Sequence, residues 1–476
     1  MSIIKQSIQI HGYIYVESRN RRFAYSFKDN LLTVYSKDSL PIQDKDKIDI
    51  QFKSKLPYVI GNDLDSGKNI VFFINSIPFD EGEPLIWSST TKKVYYFFSF
   101  NSSWDNLGIN NVDFSFKELD EFFLLDKGLK REISPKDRRF KIETVPYEET
   151  KENLEILVDG KTINVELGIL QKIRGDSSRP LELSAVIACY FEKTLDIDFL
   201  LNIYSIFKRT FCFLCHRRSV KINAIKMFGT STLNQRTEIG ELYILFENAT
   251  PEAKEIIKKT IKYPTVANKF SNLLQLVSDD KLYFEHIPKD DDSSHHITVA
   301  SFVLDAAAFE WNFDRCYGDI PVSEYRKEVK EDILIALDKL PEDKGYNSKK
   351  KGELKLYTKI VTTVDRNLPE KIRYALKDFD EVLSVFIKNL YRMNNMVFDK
   401  KSYKQIADDL QYQRNAYAHG HIDKKLADNI ISDTIILEWI DYCLVLKSVG
   451  YNNNEMFNII NAIFDRNYVE KPIEEH

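Results

Sequence analysis

Arg414 and His419 stand five positions apart in the run Gln413-Arg414-Asn415-Ala416-Tyr417-Ala418-His419-Gly420. No other stretch of the 476 residues gathers as much chemical capacity. An imidazole titrates near neutral pH and can take or give a proton. A guanidinium can stabilise charge that builds on phosphoryl oxygens. Together they are a minimal kit for breaking an RNA backbone without a metal, because the 2′-hydroxyl of RNA supplies the nucleophile. The same two residues could equally be a structural ion-pair arginine and a helix-capping histidine.

The elements around the pair set which way it faces. Tyr403, Ala407, Leu410, Arg414 and Tyr417 follow at spacings of 4, 3, 4 and 3, which is one stripe of a helix capped by Ser402. Arg414 thus continues an apolar face, where a guanidinium needs a carboxylate, a subunit interface or a bound anion. Asn415 and His419 are four apart and share another face, so Asn415 can reach toward the imidazole. Tyr417 shares the arginine stripe and reads as core before base-stacking surface. Gly420 ends the helix, where the dipole favours an imidazolium, and Asp423 starts the next helix. The pair therefore belongs at a helix–helix junction.

The first half of the chain has strand composition. Ile8 to Val16 is β-rich, and Lys47 to Phe52 alternates as a half-buried strand does. Asn69 to Ile74 and Val94 to Phe100 are continuous apolar runs, as expected of strands buried on both faces. Asp159-Gly160, between Leu154–Val158 and Lys161–Leu167, is a tight hairpin turn. Pro180 to Tyr190, Val220 to Ile225 and Leu242 to Phe246 add strands around a helix from Asp196 to Cys215. Residues 251–290 read as helical from Thr250-Pro251 onward, and the polar Lys289 to His296 segment is the best boundary. Beyond Ile297 every segment has helical periodicity. The helices are Ile297–Tyr317, Pro321–Leu340, Glu353–Val364, one from Pro369 through Leu390, the Ser402 helix, and one from Asp423 to a Gly450 stop. The expectation is an α+β multidomain chain. A β-rich, sandwich-like domain (1–250) leads through a helical connector and acidic linker (251–296) to an all-α bundle (297–476).

Composition narrows the function classes. With 43% hydrophobic and 29% charged residues, the chain suits folded domains and is too long for one core. A net charge of −5 excludes a globally basic nucleic-acid binder. A polyanion would have to be met locally, by Lys349-Lys350-Lys351 or by Lys208, Arg209, Arg217 and Arg218, and both groups read first as solvated surface. Five sparse cysteines fit free thiols in a reducing compartment. The polar start and the lack of an apolar run of about 18 residues suggest a cytoplasmic chain outside the membrane.

Set between two long helices at the end of an all-helical region, Arg414-Asn415-Ala416-Tyr417-Ala418-His419 resembles the HEPN superfamily motif. That motif is an arginine, often followed by Asn or Asp, with a histidine four to six residues on. Upstream, Phe302 to Trp311 resembles the first HEPN helix of ApeA-type anti-phage proteins, with Glu310 as its acidic residue, and Phe211 to Ile225 is similar to their helix-to-strand passage. Those proteins also place a β-rich domain first. The resemblance implies a regulated, metal-independent endoribonuclease of abortive infection, in which two Arg/His sets meet in a homodimer or higher homo-oligomer. Arg414 would hold the scissile phosphate and His419 transfer the proton. Asn415 and Tyr417 would support them, and Glu310 would pair with Arg414 across the bundle. The implied partners are RNA, with tRNA among the candidates, and a phage-derived trigger; no cofactor is implied. The alternatives are a non-catalytic HEPN-like dimerisation or signalling scaffold, or a ligand-binding β domain with a helical oligomerisation tail.

Other candidates are weaker. Cys212 and Cys215 have zinc-knuckle spacing, but a tetrahedral site needs four ligands and no second pair exists, so buried thiols are expected. His295-His296 and Asp290-Asp291-Asp292 read as solvated linker. No Gly-rich phosphate loop or nucleophile elbow is present.

Overall fold

In the computed structural model the described residues are 9–16, 21–28, 31–35, 58–74, 86–98, 108–133, 140–173, 181–222, 224–230, 235–244, 253–318, 324–363, 367–399, 402–418 and 428–464. The chain divides into two compact units. One comprises 1–211 and 219–263, the other 212–218 and 264–476. A β-rich region is followed by an all-helical one, as the residue patterns require.

Six strands of the first unit close on themselves. They are β1 (Gln9–Val16), β2 (Arg21–Lys28), β3 (Leu31–Tyr35), β4 (Tyr58–Asp63), β5 (Asn69–Ile74) and β6 (Ile86–Phe98). Antiparallel pairing runs β1-β2-β3-β6-β5-β4 and returns from β4 to β1. The ring protects its strand edges. Its interior is apolar, built from Ile14, Tyr25, Phe27, Leu32, Ile70 and Phe72 among others. Val71 and Phe73, on the other face of β5, are buried too, so this strand is covered on both faces as its sequence predicts. β1 and β4 approach so closely that a Cβ at Gly12 would overlap the Asn62 carbonyl.

A second, curled sheet continues from β6. Its strands are β7 (Ile109–Phe114), β10 (Glu152–Val158), β11 (Lys161–Ile173), β12 (Leu181–Thr194), β13 (Ala224–Thr230) and β14 (Arg236–Ile244), with β8 (Leu129–Ile133) and β9 (Phe140–Thr144) as a separate hairpin. The order is β10-β11-β12-β7-β13-β14, and β14 pairs with β6. The sandwich-like body expected from sequence thus takes the form of a ring joined to a sheet. The β10–β11 turn is Asp159-Gly160, both at positive φ (49° and 76°), with Val158 opposite Lys161. The helix Ile197–Leu214 covers one face of the sheet, its Phe207 ring 5.1 Å from that of Phe114. Asn111 and Asp113 are buried polar residues, and Arg236 satisfies both. Its Nε donates to Asn111 Oδ1 at 2.9 Å and its Nη2 to Asp113 Oδ1 at 2.5 Å.

In the second unit the long helix Asp428–Val449 is the core, with Ile436, Leu437, Ile440 and Leu444 wholly buried. Around it lie the helices Val299–Tyr317, Leu368–Asp378, Asp380–Met393, Ser402–Ala418 and Asn453–Ile463. Glu324–Asp343 and Ser348–Thr363 form a helical hairpin.

Several expectations need correction. Residues 251–290 are not one helix. Among the described residues they hold the short helices Lys254–Ile257, Tyr263–Val266 and Phe270–Ser278. The segment from Pro369 to Leu390 is two helices, broken at the buried Phe379. A helix follows Gly450, started by an Asn452–Glu455 capping box. The β13 strand begins at Ala224, later than Val220. Arg217 is not surface: it is buried, with Nη1 donating to the Cys215 carbonyl at 3.3 Å. The Lys47–Phe52 strand, Thr250-Pro251, His419, Gly420 and the Asp423 cap lie outside the described residues.

Candidate active site around Arg414

The arginine helix, Ser402–Ala418, is fixed by its apolar stripe. Ile406, Ala407 and Leu410 are fully buried and Tyr417 nearly so. Tyr403 completes the stripe by donating its hydroxyl to the Asp380 carboxylate. Ser402 is the first helical residue, and its Oγ accepts from the Asp399 N–H at 2.9 Å, which turns the chain into the helix.

The partner helix, Val299–Tyr317, starts with a capping box between Thr298 and Ser301 and buries Phe302, Ala306, Phe309 and Phe313. The two helices run antiparallel where they meet. Phe302 packs edge-on against Tyr417 with ring centroids 6.1 Å apart, and two turns on Glu310 faces Arg414. Arg414 Nη2 donates to Glu310 Oε2 at 2.8 Å. Both side chains are partly open to solvent, 39% and 29% exposed. The guanidinium is thus tethered at one nitrogen, one turn before its helix ends at Ala418.

Of the sequence-derived candidates, Arg414, Glu310 and Tyr417 come together. Tyr417 is a core residue that seats the end of the arginine helix. Asn415 is exposed, and its Oδ1 accepts from Gln411 Nε2 at 2.7 Å. His419 follows directly on Ala418, the last residue of the helix, and lies outside the described residues. Cys212 and Cys215 are buried and form no disulfide. Among the described residues no group of His, Cys, Asp or Glu could hold a metal ion.

A buried polar cluster went unpredicted. Asn312 Nδ2 donates to Asp441 Oδ1 at 2.8 Å and Asn312 Oδ1 accepts from the Tyr283 N–H at 3.2 Å. His286 Nε2 sits 3.1 Å from Asp441 Oδ2, although the two are not aligned as a hydrogen bond. Beside them His216 reaches Tyr442 Oη through Nδ1 at 2.9 Å and Glu438 Oε1 through Nε2 at 3.2 Å. Burial pushes the imidazoles down, His286 to about 3 and His216 to about 4. Burial pushes Asp441 up to about 7. Burial, then the charges of Glu438 and Asp441, drive Asp305 well up. Burial thus favours the neutral form of both imidazoles, against the pull of the carboxylates beside them. Glu438 and Asp441 stand three apart on the long Asp428–Val449 helix, but their histidine partners come from segments far away in the sequence.

In the first unit a shallow cleft of about 360 Å³ is lined by Asn153, Asn164, Glu166 and Tyr190 on β10, β11 and β12. Glu166 there is held by Lys151 at 3.7 Å and by the Tyr147 hydroxyl at 3.4 Å. Among the described residues no helix is long and apolar enough to cross a membrane. No family model matches the chain, and no curated protein or solved structure does so either.

Proposed function

We propose that this chain is a metal-independent endoribonuclease of the HEPN type, held in check until phage infection. One observation carries the reading. Arg414, one turn before its helix ends at Ala418, holds a partly exposed guanidinium tethered to Glu310, and His419 follows directly on Ala418 in the sequence. Tethered by one nitrogen, a guanidinium keeps donors for a phosphate oxygen, because it carries five N–H groups. His419, five residues on, supplies the proton transfer: it takes the 2′-hydroxyl proton as that oxygen attacks phosphorus, and the 5′-oxygen leaves with a proton from water. The products are a 2′,3′-cyclic phosphate and a 5′-hydroxyl. Asn415 orients the imidazole or the RNA, and a homodimer brings two such sets into one cleft. The β-rich unit senses the trigger or restrains the helical unit, in the cytoplasm. Incubating the purified chain with total RNA tests this: cyclic-phosphate ends are expected from the wild type and not from Arg414→Ala or His419→Ala.

A second reading is a ligand-binding β domain with a helical oligomerisation tail. The cleft, lined by Leu154 and Val165 as well as by Asn153, Asn164, Glu166 and Tyr190, favours it. Small-molecule binding to the intact chain, with no RNA loss on expression, would select it over the nuclease.

A further inference from the structure

Residues 212–218 belong to the helical unit, although the chain on both sides of them, 1–211 and 219–263, belongs to the first unit. Along the chain the segment is therefore a tongue whose two ends both continue into the first unit. It holds the end of the Ile197–Leu214 helix and the turn that closes it. Within the helical unit the Phe213 ring stacks on those of Tyr442 and Phe284, with centroids 4.6 and 5.2 Å away. The Tyr442 hydroxyl donates to the Phe213 carbonyl at 3.3 Å and lies 2.9 Å from His216 Nδ1. His216 Nε2 stands 3.2 Å from Glu438 Oε1, and the Arg218 N–H donates to the Pro288 carbonyl at 2.8 Å. The seat is thus the core helix, which carries Glu438 and Tyr442, and the segment 284–288.

The turn is a Schellman motif. The Arg217 N–H donates to the Cys212 carbonyl at 3.1 Å and the His216 N–H to the Phe213 carbonyl at 3.2 Å. Its left-handed position is one that glycine usually fills, but here it is His216, at a φ of +50°. A histidine suits this position only through its side chain, whose contacts exist only while the segment is seated. The seat also leaves polar groups unsatisfied. Among the described residues, neither ring nitrogen of the buried His286 has a hydrogen-bond partner, nor has Asp441 Oδ2 on the core helix. Backbone strain and unmet buried hydrogen bonds mark elements that switch.

The seat leads by direct contact to the Arg414 pair. Asn312 accepts from the N–H of Tyr283, next to the seat segment, at 3.2 Å and donates to Asp441 at 2.8 Å. It stands two residues after Glu310 on the Val299–Tyr317 helix, and Glu310 holds Arg414 at 2.8 Å.

We infer that residues 212–218 are a latch through which the first unit governs the Arg414 pair. Seated, they fix the core helix and the 283–288 segment, and with them the helix that carries Glu310. Withdrawn, they release that helix and its hold on Arg414. The latch rests on the ribonuclease reading in its consequence for RNA and not in its mechanics.

Hydrogen exchange of backbone amides in the intact chain tests the latch. His216→Gly suits the left-handed backbone while removing the side-chain contacts. Tyr442→Phe removes only the hydroxyl that meets His216 and Phe213. Each should speed exchange about tenfold or more in 212–218 and also in 283–288, 308–313 and 410–418, with β10, β11 and β12 unchanged. His216→Asn accepts a positive φ and keeps a hydrogen-bonding side chain, so it should fall between the wild type and His216→Gly. Acceleration confined to 212–218 would overturn the proposal, as would slower exchange in His216→Gly because glycine merely fits the turn. Uniform acceleration across both units in Tyr442→Phe would do the same, since it reports general destabilisation. Incubating these proteins with total RNA separates the latch from the ribonuclease. More cyclic-phosphate ends from His216→Gly than from the wild type would support both, whereas exchange that spreads as expected with RNA left intact would keep the latch and sink the ribonuclease.

Discussion

Glu310 Oε2 and Arg414 Nη2 meet at 2.8 Å, although 104 positions separate the two residues in the chain. The pair ties the arginine helix to the first helix of the bundle, beside the Phe302–Tyr417 ring contact. Its value is positional more than energetic, because both partners are partly solvated. A half-exposed ion pair contributes only about 0–1 kcal/mol. Glu310→Gln should therefore lower unfolding free energy by less than about 1 kcal/mol, while shifting the RNA-cleavage rate through the freed guanidinium. Urea titration beside a cleavage assay checks both, and a large stability loss with unchanged cleavage would make the pair purely structural.

Asp433 is a second measurable group. It is buried in the core helix, its Oδ1 has no hydrogen-bond partner among the described residues, and burial, with Asp409 nearby, pushes it up to about 7. Its folded pKa is above its unfolded value, so its stabilising contribution is complete below the unfolded pKa and is lost as pH rises through about 7. Asp433→Asn removes that loss. The variant should gain about 2 kcal/mol relative to wild type between about pH 5 and about pH 8. Paired urea midpoints would show it, and a pH-independent difference would place the titration elsewhere.

Gly12 tests the closed ring. Because a Cβ would overlap the Asn62 carbonyl, Gly12→Ala must push β1 away from β4. The expected cost is about 3 kcal/mol, at the upper end for overpacking. Thermal unfolding of the wild type and variant measures it, and a neutral substitution would mean the two strands do not approach here.

Gly160 separates conformational cost from steric cost. Its φ is +76°, yet nothing lies within 4 Å of an added Cβ. Gly160→Ala should cost about 1 kcal/mol from backbone conformation alone. A loss as large as that of Gly12→Ala would indicate contacts at the β10–β11 turn.

Local patterns were legible and non-local ones were not. The arginine stripe could be read because Ala407, Leu410 and Tyr417 obey one helical period, and all three are buried. The Asp159-Gly160 turn could be read because only a few residue pairs accept positive φ twice. Ring closure could not: the pairing of β3 and β6, or of β1 and β4, is decided by packing between strands distant in sequence. The break at Phe379 was hidden because Ile372, Leu376, Phe379 and Leu383 keep their period across it. The Gly450 stop is where the core helix ends, with φ at +101°, but the separate last helix was missed although Asn452 and Glu455 spell a capping box. At the site, a charge on an apolar stripe required a partner for Arg414, while Glu310 as that partner came only from the resemblance of the Phe302–Trp311 helix. The His216, His286 and Asp441 cluster needed the tertiary structure, because its members come from separate segments.

The central claim is chemical, and one measurement addresses it directly. Purified wild type, Arg414→Ala and His419→Ala, each shown to be folded, would be incubated with RNA in the presence of a chelator, and the initial cleavage rates and 3′ ends compared. The account predicts 2′,3′-cyclic phosphate ends from the wild type and a loss of about 100-fold or more in each variant. Wild-type rates in either folded variant would contradict it.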